Sequence, residues 1–312
     1  MKLIIGPNSQ IGKSLLFSFV KREDVYVMSS NFLELDRFTK KLDKRERIHI
    51  LEFNPLKKFC PPSDLTCIIN CTGVGDPKKN QEISTISKDY SEILDFNIID
   101  FLKKRSNISY FTMSTGGFFL GNGNYDEARN RRQIRINLDS KDINFYFLKK
   151  LKAEVVHRKF SDLKIIDLRI FGFISEFINI NASFFFSILI RSAIKGIKLK
   201  TTSSNFIRDY INTDDIIRII DLILCKPKND AVDIFSKQPT TKLEMLNFFI
   251  KNYNLKCFNV LKEIALINKP KTISSCEKAK KIGFISKSSS IENIKHFSEK
   301  IFSLHKKSKN LL

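Results

Sequence analysis

Tyr146 and Lys150 stand four residues apart in FYFLKKLKAEVVHRKF (145–160), a stretch with helical spacing, so their side chains share one face. A tyrosine hydroxyl ordinarily titrates near ~10. A neighbouring ammonium favours the phenolate and lowers that value, so the ring can exchange a proton with a hydroxyl or ketone near neutral pH. The pair alone fits a surface tyrosine equally well. Thr115 falls just past the apolar run in ISYFTMSTGG (108–117), where its hydroxyl either holds a reacting oxygen or caps a strand end. Arg208, in RDYINTDDI (208–216), offers a planar fork able to clamp a diphosphate by paired hydrogen bonds. Asp214 and Asp215 open an apolar-periodic stretch and read as helix-start residues, where carboxylates suit the N-terminus.

A second set of small residues begins the chain. GPNSQIGKS (6–14) follows the apolar run KLII. A triphosphate-binding loop needs four residues between its first glycine and the GK pair, but Gly6 and Gly12 are separated by five. No apolar strand ending in aspartate is evident to hold magnesium; the fourth strand candidate ends in Asn70 and Cys71. The spacing instead reads G-x-x-G-x-x-G with Ser9 in the middle place, which suits a tight turn, close backbone approach to a pyrophosphate and a helix start facing it. A plain strand-to-helix turn accounts for the loop almost as well. In both readings GKS becomes the first helical turn, with Lys13 pointing to solvent.

These residues need elements to hold them. Six apolar strand candidates lie at 2–6, 24–30, 47–53, 65–73, 108–117 and 163–172, with helical stretches at 11–22, 90–105 and 145–160. Continuous apolar strands alternating with helices imply a doubly wound α/β fold, its parallel sheet covered on both faces. Such sheets bind ligands beyond the carboxyl ends of their strands, and Gly6, Gly73, Gly116 and Gly117 all fall at such ends. After residue 172 the pattern loosens into helical pieces, SFFFSILIRSAIKGI, KLEMLNFFIKNY and SIENIKHFSEKIF among them, expected to form a smaller lobe packed over the ligand edge of the sheet.

The chain has 312 residues, 42% hydrophobic and 28% charged, enough for a large core. Its net charge is +21, from 54 Lys and Arg against 33 Asp and Glu. The basic residues are dispersed; the densest cluster is ARNRRQIR (128–135). They therefore read as solvated lysines that draw anionic substrates, with no nucleic-acid partner expected. The cysteines at 60, 67, 71, 225, 257 and 276 form no C-x-x-C pair, so no metal site is expected, and Cys67 and Cys71 read as buried thiols. A reducing cytoplasm is the expected compartment. SFFFSILI (183–190), the most apolar run, is too short to span a bilayer.

Taken in order, these segments resemble the extended short-chain dehydrogenase/reductase family, and within it the NAD-dependent, nucleotide-sugar epimerase/dehydratase branch. GPNSQIG matches the family's glycine loop, STGGFF the strand end carrying the catalytic Ser or Thr, and YFLKKLKAE the Y-x-x-x-K helix with Ala153 and Glu154. LRIFG matches the sixth strand with Arg169, and RDYINTDDI the R-D-[FY]-[VI]-H-V-x-D segment. KAKKIGF (278–284) resembles the segment before the last helix.

The resemblance implies a Rossmann-type NAD(P)-binding domain over 1–172. A mainly substrate-binding lobe would cover 173–312, with part of 205–235 returning to the first domain. Tyr146 would be the acid/base, Lys150 would hold the nicotinamide ribose and lower the tyrosine's pKa, and Thr115 would orient the sugar oxygen. Gly6, Ser9, Gln10, Ile11, Gly12, Ser29, Asn31, Cys71, Thr72, Gly73 and Lys150 would bind NAD or NADP. Gly116, Gly117 and Arg208 would meet the substrate, a nucleotide-diphosphate sugar or ketosugar. A homodimer through paired helices is the family habit.

Four departures stand out. Ser9 replaces the middle glycine, Asn212 the histidine of the RD segment, and Gly172 the substrate-binding asparagine of some 4-epimerases. The stretch before Tyr146, RNRRQIRINLDSKD, lacks the usual proline. Gly116 and Gly117 stand where 4,6-dehydratases place Asp and Glu, which leaves epimerisation or ketosugar reduction. The second strand ends MSSN without the carboxylate that selects NAD, a lean towards NADP. A weakly active or inactive dinucleotide-binding module of the same fold is the alternative.

Overall fold

The computed structural model describes residues 1–73, 90–116, 145–201, 205–258 and 277–309. Gly117, the basic cluster at 128–135, the stretch before Tyr146 and Cys276 lie outside them.

Strand β1 (Lys2–Ile5) explains the architecture locally. Leu3, Ile4 and Ile5 are completely buried, so both faces of this strand must be covered, and helices on crossover connections provide that cover. β1 pairs in parallel with β2 (Val25–Met28) on one side and β4 (Cys67–Asn70) on the other. β3 (Ile48–Leu51) continues beyond β2, while β5 (Ser109–Thr115) and β6 (Ile165–Ile170) continue beyond β4, again in parallel. The seven-stranded sheet has the order β3-β2-β1-β4-β5-β6-β8, with β8 (Asp230–Ile234) at the edge. All six expected strands are present, each trimmed by a few residues. The added edge strand DAVDI carries too few apolar residues to announce itself.

The order reverses between β1 and β4, so a crevice opens beyond their carboxyl ends. Helix α1 (Gln10–Phe19) leaves the end of β1, and α2 (Phe32–Thr39) follows β2. Helix α3 (Tyr90–Leu102) buries Leu94, Ile98 and Leu102, one face at four-residue spacing. These side chains join Leu3, Ile5, Ile68, Tyr110 and Ile165 in one cluster, each apolar residue contributing about 1.5–3 kcal/mol through burial. Helix α4 (Phe145–His157) carries Tyr146 and Lys150 and packs beside β5.

The described residues divide into two compact units. One draws on Met1–Phe118, Arg135–Ile170 and Ile217–Asp233, the other on Phe171–Ile216 and Ile234–Leu312. The second unit has its own core, including Ile174, Phe186, Leu189, Met245, Phe249 and Ile294. Its helices are α5 (Phe185–Lys195), α7 (Lys242–Tyr253), α8 (Glu277–Lys281) and α9 (Ser290–Lys309), and β7 (Ile207–Arg208) pairs antiparallel with β9 (Thr240–Thr241). The apolar run at 183–190 is largely α5, which turns Phe186, Leu189 and Ile190 inward. It ends at Gly196, whose φ of 64° is left-handed, a backbone that favours glycine. Helix α6 (Thr213–Cys225) starts in the second unit and continues into the first. Among the described residues no helix is long and apolar enough to cross a membrane.

Candidate active site

The glycine loop is built by steric necessity at its two ends and by hydrogen bonding in its middle. Gly6 has φ +75°, and a Cβ there would lie 3.0 Å from the Cys71 carbonyl carbon and the Thr72 nitrogen. A Cβ on Gly12 would lie 2.3 Å from the Gly6 oxygen, closer than any real contact. The start of α1 is thus pressed onto the end of β1, and only glycine allows it. Ser9 is different. Its backbone is extended, φ −67° and ψ 160°, which any residue adopts. Its hydroxyl donates to the Gly6 carbonyl at 2.9 Å and accepts from the Gly12 amide at 3.0 Å. Serine here is the N-cap of α1, and it ties the loop to itself. Gln10 and Ile11 are the first residues of the helix, where backbone N–H groups lack acceptors within the helix.

Lys13 does not point freely to solvent. It pairs with Glu34 at 2.7 Å and lies 5.7 Å from the Phe38 ring centre, because α2 runs alongside. At the end of β2, Asn8 donates to the Ser29 hydroxyl and to the Asn31 carbonyl, each at 2.8 Å. Asn31 caps α2 by accepting from the Glu34 amide at 3.1 Å. The Asn8 Oδ1 is buried and has no hydrogen-bond partner among the described residues.

Beyond β4 lie Cys71, Thr72 and Gly73. Burial pushes the Cys71 thiol up to about 12 despite the nearby Lys150 charge, and burial does the same to Cys67, so both are inert buried thiols. Gly73 has φ +125°, and a Cβ there would point at the Lys150 ammonium 3.5 Å away. Lys150 Nζ donates to the Thr72 carbonyl at 3.4 Å. Tyr146 and Lys150 line one cavity of about 950 Å³ with Thr72, Gly73, Ser114 and Asp95. Thr115, the last residue of β5, is nearly buried and pairs with Ile170. Strand alternation sends its side chain to the opposite face from Ser114. Ser114 donates to Glu154 at 2.5 Å. Gly116 follows the strand, its amide bound to the Ile170 carbonyl at 3.0 Å.

Charged groups brace this region from behind. Glu154 on α4 takes a bidentate hydrogen bond from Arg169 on β6, with an Nη2–Oε2 distance of 2.6 Å. Burial holds the Glu154 carboxyl above its usual range, against the pull of Arg169 and Ser114. A second cluster was not foreseen in the sequence. His157, the last residue of α4, donates from Nε2 to Asp95 at 2.7 Å and from Nδ1 to Asp167 at 2.9 Å. Burial alone would push the imidazole down, but the hydrogen bonds to Asp167 and Asp95 outweigh it and hold the pKa at about 9. The sequence signal was a pair of polar residues, His157 and Asp167, directly after the apolar pairs Val155–Val156 and Ile165–Ile166.

A histidine pKa raised on folding stabilises the protein fully below the unfolded value near ~6.5, and the contribution disappears as pH rises through about 9. The advantage of the native protein over His157→Gln in urea unfolding is therefore expected to shrink by about 3 kcal/mol between pH 6 and pH 10. A constant difference across that range would show that the imidazole is not held charged.

In the second unit, Arg208 stacks its guanidinium 4.5 Å from the Phe206 ring centre and donates to the Ile207 carbonyl at 3.0 Å. Asp209 accepts from the Ser236 amide and hydroxyl at 2.8 and 3.2 Å. A Cβ on Gly172 would lie 2.2 Å from the Asp209 carbonyl oxygen, so an asparagine there would displace the RD segment. Asn212 accepts from the Asp215 amide at 3.0 Å and donates to Asn293 at 2.9 Å. Asp215 returns the bond to the Asn212 amide, a reciprocal cap on α6.

A β3-β2-β1-β4-β5-β6 parallel order, a glycine-pinned loop after β1 and a Tyr–Lys pair in the adjoining cavity define a dinucleotide-binding protein of Rossmann type. The model of the NAD dependent epimerase/dehydratase family matches residues 2–236, and the chain belongs to that family. No curated protein matches it in sequence. Among solved structures it is similar to the UDP-glucose 4-epimerase of Thermotoga maritima with UDP-glucose, at 16% identity and TM-score 0.71, covering 97% of this chain and 99% of the other. The UDP-N-acetylglucosamine 4-epimerase of Methanobrevibacter ruminantium M1, in complex with UDP-N-acetylmuramic acid, is similar at 12% and 0.70, with 97% and 98% covered. The dTDP-glucose 4,6-dehydratase of Bacillus anthracis str. Ames, in complex with NAD, is similar at 13% and 0.69, with 97% and 96% covered.

Proposed function

We propose that the protein is an NAD(P)-dependent nucleotide-sugar epimerase or ketosugar reductase. The observation that carries this reading is the meeting of Tyr146 and Lys150 with Thr72 and Gly73 in one cavity at the carboxyl edge of the sheet. The residues fit a dinucleotide. Gly6 and Gly12 let the start of α1 press onto the end of β1, which leaves the helix start open to a pyrophosphate, and Gly73 keeps the space before Lys150 open. Bound NAD(P) would supply a hydride acceptor or donor at the nicotinamide.

The chain's own residues do the rest. The helix start at Gln10 and Ile11 presents N–H groups to the pyrophosphate. Ser29 and Asn31, gathered by Asn8, face the adenosine ribose without a carboxylate, which supports tolerance of a 2′-phosphate and a lean towards NADP. Lys150, steadied by the Thr72 carbonyl, hydrogen-bonds the nicotinamide ribose. The Tyr146 hydroxyl moves the proton at the sugar oxygen, with Ser114, the residue of β5 that lines the same cavity, in the place expected of Thr115. Gly116 and Gly117 bring no carboxyl group beside that oxygen, which favours epimerisation or reduction over dehydration. The exposed Ile93 on α3 and Val155 on α4 are apolar positions that a second copy of the chain would cover.

Titration of NADH and NADPH fluorescence tests the reading, followed by a panel of UDP- and dTDP-sugars and ketosugars. Binding of one dinucleotide and turnover of a nucleotide sugar are expected, with a dimeric mass by light scattering. A folded protein that binds neither dinucleotide would end this proposal.

A further inference from the structure

A continuous line of side chains starts at the Lys150 end of the cavity and runs along its wall, through Asn70, Asp95, His157 and Asp167. Asn70 Oδ1, at the end of β4, accepts from both the amide and the hydroxyl of Thr72, at 3.0 and 2.6 Å. Asn70 Nδ2 donates to the Tyr110 hydroxyl on β5 at 2.8 Å, and that hydroxyl donates to Asp95 on α3 at 2.6 Å. The other oxygen of Asp95 takes the bond from His157 on α4, which also binds Asp167 on β6. Thr112 and Arg158 complete the shell of Asp167, each at 2.5 Å. The line crosses five separate elements, and at its near end the Thr72 carbonyl holds the Lys150 ammonium.

Fastening α4 to the sheet would explain Asp167 and His157, but not the rest of the line. Asn70 directs its amide oxygen at Thr72, the residue that carries Lys150. Asp95 cannot rotate, because one oxygen is bound by the imidazole and the other by the phenol. With the carboxylate fixed, the phenol has one orientation and Asn70 has one rotamer.

We propose that Asn70, Tyr110 and His157 are positioning residues for the cofactor end of the site, setting the place of the Thr72 carbonyl and through it Lys150. The role in cofactor binding rests on the dinucleotide reading above. The groups facing His157 are Asp95 from α3, Asp167 from β6 and the Tyr110 ring from β5, at 6.1 Å between ring centres, with Arg158 beside Asp167.

Tyr110→Phe cuts the line by one oxygen and keeps the ring in the core. Arg158→Met disturbs the same charged cluster but lies off the path to Thr72. In the native chain the Thr72 amide is bonded to Asn70, so its hydrogen exchange reports the anchor directly and needs no cofactor. Tyr110→Phe is expected to speed that exchange and weaken NADH binding about tenfold. Arg158→Met is expected to lower the unfolding midpoint and leave both readouts at native values. Native Thr72 exchange in Tyr110→Phe, or equal effects of the two variants, would overturn the proposal. Should the native chain bind neither NADH nor NADPH, the functional reading falls, while the exchange rates still decide whether the line positions Thr72.

Discussion

Replacing Tyr146 by phenylalanine is expected to lower turnover about 10²–10⁴-fold, the range that one positioned acid/base group contributes. The change removes a single oxygen from a half-buried ring lining the cavity. The ring and the backbone of α4 stay, and so does Lys150 against the Thr72 carbonyl. NADH affinity is therefore expected to stay within about twofold of native, since a tenfold change would need about 1.4 kcal/mol. This separation is the test. Turnover lost with binding kept marks a proton-transfer group; turnover and binding lost together mark damage to the site. Turnover that survives undiminished would remove Tyr146 from the mechanism.

The largest effect on stability is expected at Arg169. Its guanidinium neutralises Glu154, whose side chain is only 4% exposed, and also reaches Asp233 at 3.3 Å. Arg169→Leu leaves a carboxylate in the core with Ser114 as its remaining partner and is expected to cost about 3–5 kcal/mol. Burial already raises the Glu154 carboxyl above its usual range with the arginine in place. Without it, proton uptake by the folded state becomes easier still. The loss is therefore smallest near pH 4 and grows as pH rises and the carboxyl must ionise. Arg169→Leu combined with Glu154→Leu is expected to recover most of the loss, because a well-packed apolar pair often replaces a buried ion pair without penalty. Urea unfolding checks both. A single variant within about 1 kcal/mol of native, or a double variant no better than the single, would show that an unpaired Glu154 carboxylate is not the source of the loss.

Much of this was legible in the linear chain. KLII and CIIN are short, nearly continuous apolar runs, as buried parallel strands require, and helices between the strands complete the layers. Gly6 and Gly12 were legible as a close-approach loop because nothing else fits there. The role of Ser9 was not. Whether its hydroxyl faced a phosphate or the loop depended on a backbone angle, and the angle makes it an N-cap. Gly172 read as a lost substrate contact, whereas its backbone lies against Asp209 too closely for any side chain. Lys13 read as solvated because its partner Glu34 is on another helix.

By itself, then, the sequence determined the alternation of strands and helices, the glycine loop, and the Tyr146–Lys150 spacing on one helical face. Each depends on neighbours within a few residues, where periodicity and sterics act directly. Only the tertiary structure decided which distant residues meet. The Thr72 carbonyl accepts from Lys150, 78 residues away, and Asp95 and Asp167 close on His157 from a helix and a strand. The reason is physical. A buried charge is tolerable only where the fold delivers its counter-charge, and no local pattern in the chain records that delivery.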